Sequence, residues 1–152
     1  MSDPNALLDT LGFDSVGSYV WIHHVPVDTF PETPYSEVLT AAESHWRQTR
    51  AEFTLPFHPN VTMGWDASPR TVQSDRFEAT GCPFMATLSG NTPGAFQEAL
   101  IRAKAFSDEE PDGPRILTLN AWNEWTEGSY LEPDTLNKLG YLEAVQDVFG
   151  QD

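Results

Sequence analysis

Residues 120–133 read N-A-W-N-E-W-T-E-G-S-Y-L-E-P, and they directly follow a short apolar run, Ile116–Leu119. A run of that length, with Pro114 upstream, predicts a buried parallel strand. Two amides, two tryptophans, two carboxylic acids and a glycine come next within residues 120–128. A hydrophobic core has little use for this mixture, because buried carboxylates and amides cost free energy unless each has a partner. The stretch therefore predicts a site for a polar ligand at the end of a strand.

The two acids of this segment, Glu124 and Glu127, are three residues apart. On a helical turn, that spacing places both side chains on one face with Cβ atoms about 5–6 Å apart. Two carboxyl groups so close do not both ionise easily, so one would donate a proton and the other accept one. In glycoside cleavage, a separation of about 5–5.5 Å goes with retention. The spacing favours retention, whereas a non-helical loop would splay the pair apart.

The side chains around the two glutamates suit a sugar ligand. Trp122 and Trp125 flank the pair and offer rings that stack on sugar faces or exclude water from a pocket. Asn123 and Tyr130 add hydrogen-bonding groups and complete the predicted ligand contacts of the segment. The alternative interpretation is a solvated loop whose tryptophans complete a core.

Residues 120–134, N-A-W-N-E-W-T-E-G-S-Y-L-E-P-D, resemble the signature of the glycoside hydrolase family 99-like proteins, which include the WbsX-type proteins of bacterial polysaccharide loci. Residues 60–70, N-V-T-M-G-W-D-A-S-P-R, resemble the G-W-D-x-S-P-R element of the same group. Residues 140–145, G-Y-L-E-A-V, resemble its closing helix. The resemblance runs in order from about residue 9 to residue 149.

The resemblance implies a (β/α)8 barrel and a retaining endo-α-mannosidase that acts on a mannose-type polysaccharide or oligosaccharide without a cofactor. It implies that Glu124 acts as a base on the sugar 2-hydroxyl. Glu127 would act first as general acid and then as base. The reaction would pass through a 1,2-anhydro sugar rather than a glycosyl-enzyme. A glycosyltransferase of polysaccharide biosynthesis is the other activity of this class, but the sequence holds no Gly-rich phosphate loop and no D-x-D element.

Composition restricts the partners of the chain. The formal net charge of −15 argues against nucleic acid and anionic membrane, because both repel an acidic surface. A single cysteine, Cys82, excludes a disulfide framework and a cysteine metal cage, and no other metal-ligand spacing is evident. The first residues lack a positive region and an apolar run of signal length, so we expect a cytoplasmic protein. No apolar run has the length of a membrane helix.

The first half of the chain predicts two helices around one strand. Pro4–Leu11 reads as a helix with Gly12 as its C-cap. The apolar run Ser18–Ile22 predicts a strand that is covered on both faces. His23 and His24 would then lie at its C-terminal end as ligand contacts, although paired histidines are more often structural. Thr33 and Pro34 predict the N-cap and first residue of the next helix, which runs to about Phe53 and carries Trp46 on its core face.

A second predicted strand, Val61–Gly64, leads into Trp65 and Asp66, both assigned to the ligand site. Asp66 would hydrogen-bond sugar hydroxyls, orient Arg70, or cap the turn that follows. A glycine within a strand marks the close approach of another group, here the ligand or a neighbouring strand. The segment 84–88 reads as a strand or an ordered loop, and helices are predicted from Thr92-Pro93 onward and over residues 141–149.

Alternating strands and helices predict βαβ units and a parallel sheet. A complete barrel needs about 250 residues, so 152 residues predict a single α/β domain that corresponds to the C-terminal three to four β/α units of a TIM-type (β/α)8 barrel. Such a sheet leaves open edges, which a second copy or a missing N-terminal barrel half would cover. The alternative to an enzyme is a non-catalytic carbohydrate-binding or truncated fragment.

Overall fold

A computed structural model describes residues 3–72, 75–110 and 113–150. The described chain forms helices α1 (Pro4–Leu11), α2 (Tyr35–Glu52), α3 (Pro93–Asp108) and α4 (Gly140–Phe149). Its strands are short: β1 (Val16–Gly17), β2 (Glu32–Pro34), β3 (Phe57–His58), β4 (Asn60–Thr62), β5 (Thr87–Ser89), β6 (Thr118–Asn120), β7 (Asn123–Glu124) and β8 (Ser129–Tyr130). Turns of 3-10 helix cover Trp21–His23, Ser68–Arg70 and Trp125–Glu127. None of the described helices has the length and apolarity required to cross a membrane.

The strands pair mainly in parallel, but in separate two-stranded pairs rather than in the one parallel sheet that the alternation of elements predicts. β1 pairs with β3, β2 with β5, and β4 with β6, all in parallel register. The chain beyond β4 continues these contacts, because the Met63 amide donates to the Asn120 carbonyl oxygen at 3.0 Å and the Leu88 amide donates to that of Trp65 at 2.8 Å. The carboxyl ends of β4 and β6 therefore meet at one edge. The extension of these units into part of a (β/α)8 barrel stays a prediction.

Local capping signals place α1 and α3 where the sequence predicts them. α1 ends at Leu11, and Gly12 follows in the left-handed conformation with φ of 72°. At the start of α3, the Thr92 hydroxyl accepts a hydrogen bond from the Ala95 amide, with Pro93 as the first helical residue. These caps satisfy backbone groups that the helix itself leaves without partners.

The predicted strand Ser18–Ile22 is wrong. Strand β1 ends at Gly17, before the apolar run begins, and the end of the run forms the 3-10 turn Trp21–His23. Trp21 explains the difference, because its amide donates to the Thr62 hydroxyl at 3.0 Å and its indole N–H donates to the Asn60 carbonyl oxygen at 2.8 Å. An apolar run of this length is compatible with either structure, and these tertiary hydrogen bonds fix the turn.

The predicted N-cap of α2 is also wrong. The Thr33 hydroxyl bonds instead to the backbone of Thr29, accepting from its amide at 3.2 Å and donating to its carbonyl oxygen at 3.1 Å. Pro34 belongs to β2, and α2 begins at Tyr35 without a side-chain cap. Pairing with β5 therefore keeps residues 32–34 extended.

The hydrophobic core is aromatic and lies between the strands and helices α2 and α3. The rings of Trp21 and Tyr35 are 5.2 Å apart, and those of Trp46 and Phe106 are 5.7 Å apart. Tyr35 donates its hydroxyl hydrogen to the Thr62 carbonyl oxygen at 2.7 Å, and burial raises the pKa of Tyr35. Trp46 lies in this core, as its position on α2 predicts.

Gly64 is the point at which strand β4 meets the segment that follows β6. A Cβ atom added to Gly64 would lie 2.5 Å from the Gly128 carbonyl oxygen and 2.6 Å from Asn91 Nδ2. Real Cβ atoms do not approach backbone that closely. The predicted close approach at this glycine is confirmed, and the approaching group is the backbone of Gly128.

His24 and His45 stack on each other beside α1. Their ring centroids are 4.7 Å apart with an interplanar angle of 13°. The pKa of His24 is lowered, mainly by burial and then by the neighbouring His23. The pKa of His45 is also lowered, mainly by burial and then by His24, and the nearby Glu52 opposes this shift with a smaller effect. Both rings line an apolar groove of about 500 Å³ between α1 and α2. The stack therefore favours neutral rings.

We expect Gly64→Ala to lower the free energy of unfolding by about 1–3 kcal/mol, because the new methyl group has no space beside Gly128. Gly17→Ala is the matched control, since its Cβ would meet its nearest neighbour at an ordinary 3.4 Å. Urea unfolding followed by tryptophan fluorescence measures both. Equal losses in the two variants would contradict the steric explanation.

We expect the free energy of unfolding to decrease as the pH falls below about 6.5, the ordinary histidine pKa. The unfolded chain binds protons there, whereas the stacked His24 and His45, whose pKa values are lowered, bind them only at lower pH. The contribution of these two histidines to the free energy of unfolding is thus complete above pH 6.5 and is lost as the pH falls below it. Unfolding curves between pH 7.5 and 5 measure the slope, and His45→Phe should flatten it; an unchanged slope would contradict the assignment.

Candidate functional site

Residues 120–133 fold as a tight hairpin whose connection is a single 3-10 turn. β7 and β8 pair antiparallel, with Asn123 opposite Tyr130 and Glu124 opposite Ser129. The turn Trp125–Glu127 and Gly128, with φ of 60°, connect them. The spacing allowed either a helical turn with both glutamates on one face or a loop that splays them apart. In the structure, Glu124 ends strand β7 and Glu127 ends the single 3-10 turn that follows. The separation of the two carboxyl groups, and with it retention, stays a prediction.

Buried polar contacts anchor the hairpin to the sheet. The Ser129 hydroxyl lies within hydrogen-bond distance of the Asn120 carbonyl oxygen at 2.8 Å and of Asn120 Oδ1 at 2.9 Å. The Leu131 amide donates to the Ala121 carbonyl oxygen at 2.9 Å. Both Asn120 and Ser129 are buried, so these bonds are made away from water. The hairpin is held at the carboxyl end of β6, where its strand position predicts it.

Glu127 forms an ion pair with Arg70 at the edge of the 65–70 segment. Arg70 Nη2 is 2.8 Å from Glu127 Oε1, and the Glu127 side chain is only 14% exposed. The Arg70 guanidinium also approaches the Thr126 hydroxyl, with Nε and Nη2 each at 3.3 Å. Arg70 therefore pairs with the predicted catalytic acid and not with Asp66, which the sequence offered as its partner.

Glu124 differs from Glu127 in its surroundings. Its side chain is half-buried, and within residues 3–72, 75–110 and 113–150 its carboxylate has neither an ion pair nor a hydrogen bond. Asn123 and Trp122, which precede it, are exposed. Of the two predicted catalytic carboxylates, Glu124 is thus the one without a protein partner in the described chain.

Trp125 and Tyr130 form an aromatic platform beside the glutamates. Their rings stack with centroids 3.7 Å apart and an interplanar angle of 16°. The Trp125 indole N–H donates to Glu132 Oε2 at 2.6 Å, and the Asp134 carboxylate lies near the Tyr130 hydroxyl. Burial, followed by the charge of Asp134, raises the pKa of Tyr130. The hydrogen bond to Glu132 therefore holds the Trp125 ring of the stacked pair, while Trp125 stays 44% exposed.

Trp65 and Asp66 serve the scaffold of the site. Trp65 is 4% exposed and packs in the hydrophobic core, so its indole presents no open face to a sugar. The Asp66 amide donates to the Glu127 carbonyl oxygen at 2.6 Å, and Asp66 Oδ1 accepts from the Ser68 amide at 2.9 Å. Asp66 therefore caps the turn before Ser68, which is one of the three roles that the sequence allows.

The predicted ligand residues fall into separate groups. Trp122, Asn123, Glu124, Trp125, Glu127 and Tyr130 belong to the hairpin. Tyr130 also lines a cavity of about 280 Å³ with the Gly128 turn, Asn137 and Tyr141. His24 lines the groove beside α1, which no residue of the hairpin lines, and the exposed His23 neighbours it in the chain. The structure thus does not bring the histidines together with the hairpin.

Sequence reasoning missed the pairing of Arg70 with Glu127 and the anchoring by Ser129. The resemblance includes both residues, but nothing in the order of the chain says which acid Arg70 meets. Within the described residues, no three His, Cys, Asp or Glu side chains are arranged to hold a metal ion.

Comparisons with known proteins relate the chain to one family. The family model described as "Glycosyltransferase WbsX" matches residues 23–145, which include both the 65–70 segment and the hairpin. Two similar relatives are uncharacterized WxcX proteins from Xanthomonas campestris pv. campestris, strains B100 and ATCC 33913, each 33% identical over 91 residues. That region is 59% of this chain and 11% of each relative, so the chain spans a small part of their length. No solved structure matches the chain.

The family match includes the glutamates, Arg70 and the stacked aromatic pair, and it extends over most of the chain. This chain belongs to the WbsX glycosyltransferase family.

Proposed function

We propose that the chain carries the acid/base glutamates and the sugar-binding platform of a glycan-processing site. The observation that supports this most directly is the hairpin itself, which presents Glu124 and the Arg70-bound Glu127 beside the exposed rings of Trp122 and Trp125. Exposed indoles bind the apolar faces of sugars, and neighbouring carboxyl groups move protons at the glycosidic bond. The membership of the WbsX family agrees with a carbohydrate ligand.

In the proposed reaction, Trp122 and Trp125 hold a mannose-type residue over the glutamates. Glu124 accepts the proton of the sugar 2-hydroxyl, and its lack of a protein partner in the described chain leaves its oxygens available for this hydroxyl. Glu127 protonates the leaving glycosidic oxygen. The 2-oxygen then closes on the anomeric carbon as that bond breaks. Glu127 next deprotonates the incoming water, whose oxygen attacks the anomeric carbon and opens the 1,2-anhydro ring, while Glu124 returns its proton to the 2-oxygen. These roles rest on the resemblance of the N-E-W-T-E-G core to family 99-like hydrolases.

A hydrolase is favoured over a nucleotide-sugar-dependent transferase for this chain. A transferase of that kind normally binds the diphosphate through a metal or a phosphate loop. The sequence has no D-x-D element and no Gly-rich phosphate loop, and the hairpin is dominated by carboxylates that would repel phosphates.

The site of the isolated chain is open, and we propose that a second copy or an N-terminal barrel half completes it. The strands are two or three residues long, and Trp122 is 54% exposed at the rim. Catalysis needs a substrate held within fractions of an ångström, which a one-sided site does not achieve. The alternative function, a non-catalytic carbohydrate-binding module, is favoured by the same exposed aromatic rings.

We expect Glu124→Gln and Glu127→Gln each to reduce cleavage of reducing-end-labelled α-manno-oligosaccharides by about 100-fold or more, because proton transfer is lost. Their affinity for the same oligosaccharides should change by less than about 3-fold. Glu143→Gln, on the exposed face of α4, is the control and should retain activity. The assay uses the chain alone and the chain fused to an N-terminal barrel half. Undiminished cleavage in both Gln variants would contradict the acid/base roles, and oligosaccharide binding without cleavage in either form of the protein would support the binding module instead. Efficient cleavage by the monomer would contradict an incomplete site.

We expect Trp125→Ala to weaken oligosaccharide binding by about 10-fold, which is about 1.4 kcal/mol, because the substitution removes the stacked platform. Isothermal titration with the same α-manno-oligosaccharides measures the change. Phe13→Ala provides a matched control, since Phe13 is a similarly exposed aromatic ring outside the hairpin. Equal affinity in the two variants would rule out sugar stacking on Trp125.

A further inference from the structure

Arg70 reaches the proposed site from a segment that is distant in sequence. It ends the turn Ser68–Arg70, and its guanidinium contacts Thr126 and Glu127 in the hairpin. The Arg70 side chain is 41% exposed, so its pair with Glu127 is partly screened by water. Ion pairs that water reaches contribute little to stability. The Glu127 side chain is only 14% exposed, so the contact also compensates a largely buried carboxylate, and a test of its role needs folding and binding measured separately.

The backbone around Arg70 is fixed relative to Glu127. The Asp66 amide donates to the Glu127 carbonyl oxygen, and Asp66 Oδ1 accepts from the Ser68 amide. Hydrogen bonds through Asp66 therefore connect the turn that carries Arg70 to the backbone of Glu127. A Cβ atom on Gly128 would lie 2.8 Å from Asp66 Cβ, which shows how closely the two segments pack. The guanidinium is thus held by a rigid support rather than by a mobile surface loop.

The shortest contact of the guanidinium with Glu127 is to one oxygen of the carboxylate. Arg70 Nη2 approaches Glu127 Oε1, while the Thr126 hydroxyl accepts from Nε and Nη2 and fixes the plane of the guanidinium. In the described residues, Glu127 Oε2 accepts no hydrogen bond. The neighbouring acids are engaged elsewhere, Glu132 by the Trp125 indole and Asp134 by the amides of Leu136 and Asn137.

We infer that Arg70 is a positioning residue that holds Glu127 by Oε1 and thereby presents Oε2 to the ligand. The inference rests on the proposed function, because it assigns Arg70 a task at the same glutamate. Arg70 does not itself contact the sugar. Its planar fork can bond Thr126 and Glu127 together, whereas the ammonium of a lysine supplies the charge without that geometry.

The test uses deoxymannojirimycin, a cationic mannose-shaped iminosugar whose ammonium group binds carboxylates at a sugar site. We expect Arg70→Met to weaken its binding by about 10-fold or more, because Glu127 loses its fixed orientation. Arg70→Lys should recover part of the affinity. The matched control is Arg102→Met, since Arg102 on α3 is 39% exposed and also forms ion pairs, with Glu98 and Glu43.

Isothermal titration measures binding, and urea unfolding of the same variants separates orientation from folding. The inference is supported if Arg70→Met loses affinity, Arg70→Lys partly restores it, and both Met variants unfold at similar urea concentrations. If wild-type protein binds the iminosugar and Arg70→Met binds equally well, the inference is overturned while the proposed function stands. If the wild-type chain binds neither the iminosugar nor the α-manno-oligosaccharides, the proposed function fails and the inference with it.

Discussion

The close packing of two backbone segments, at Gly64 and Gly128, is the constraint on which the rest of the site depends. The Gly128 carbonyl oxygen occupies the space that a side chain at residue 64 would fill, and Asp66 Cβ occupies that of a side chain at residue 128. Because both positions lack Cβ atoms, the end of β4 and the hairpin after β6 can share a hydrogen bond from Asp66 to Glu127. This contact brings together two sequence elements that are about sixty residues apart.

The contact also determines the electrostatics of the hairpin. Residues 124–134 carry four acids, Glu124, Glu127, Glu132 and Asp134, in a chain of net charge −15. Arg70 places a cation against Glu127, Glu132 Oε2 accepts from the Trp125 indole, and Asp134 accepts from backbone amides, whereas Glu124 has no partner among the described residues. The two proposed catalytic carboxylates therefore differ in environment although they are three residues apart.

The aromatic side chains of the chain serve two purposes that their sequence positions do not separate. Trp21, Trp46 and Trp65 are buried and build the core between the strands and helices. Trp122 and Trp125 remain exposed at the hairpin, where Tyr130 and Glu132 hold the Trp125 ring. A fixed exposed ring is suited to ligand binding, because little conformational freedom is lost when the ligand arrives. The open surroundings of this platform are consistent with a site that another chain segment completes.

The sequence by itself determined the features that depend on neighbouring residues. Helix ends are predictable because caps act within a few residues. Gly12 marks the end of the helix Pro4–Leu11, and Thr92 with Pro93 marks the start of α3. The glycine at position 64 likewise indicates the close approach of another group, whereas the polar site that the composition of residues 120–128 predicts stays a prediction. Other features were decided by tertiary structure alone. Trp21 lies in a 3-10 turn rather than in a strand, and Thr33 bonds Thr29. Trp65 is buried, and Arg70 contacts Glu127. Each of these depends on a partner or a packing environment supplied by the fold, and chain order carries no information about which groups will meet across it.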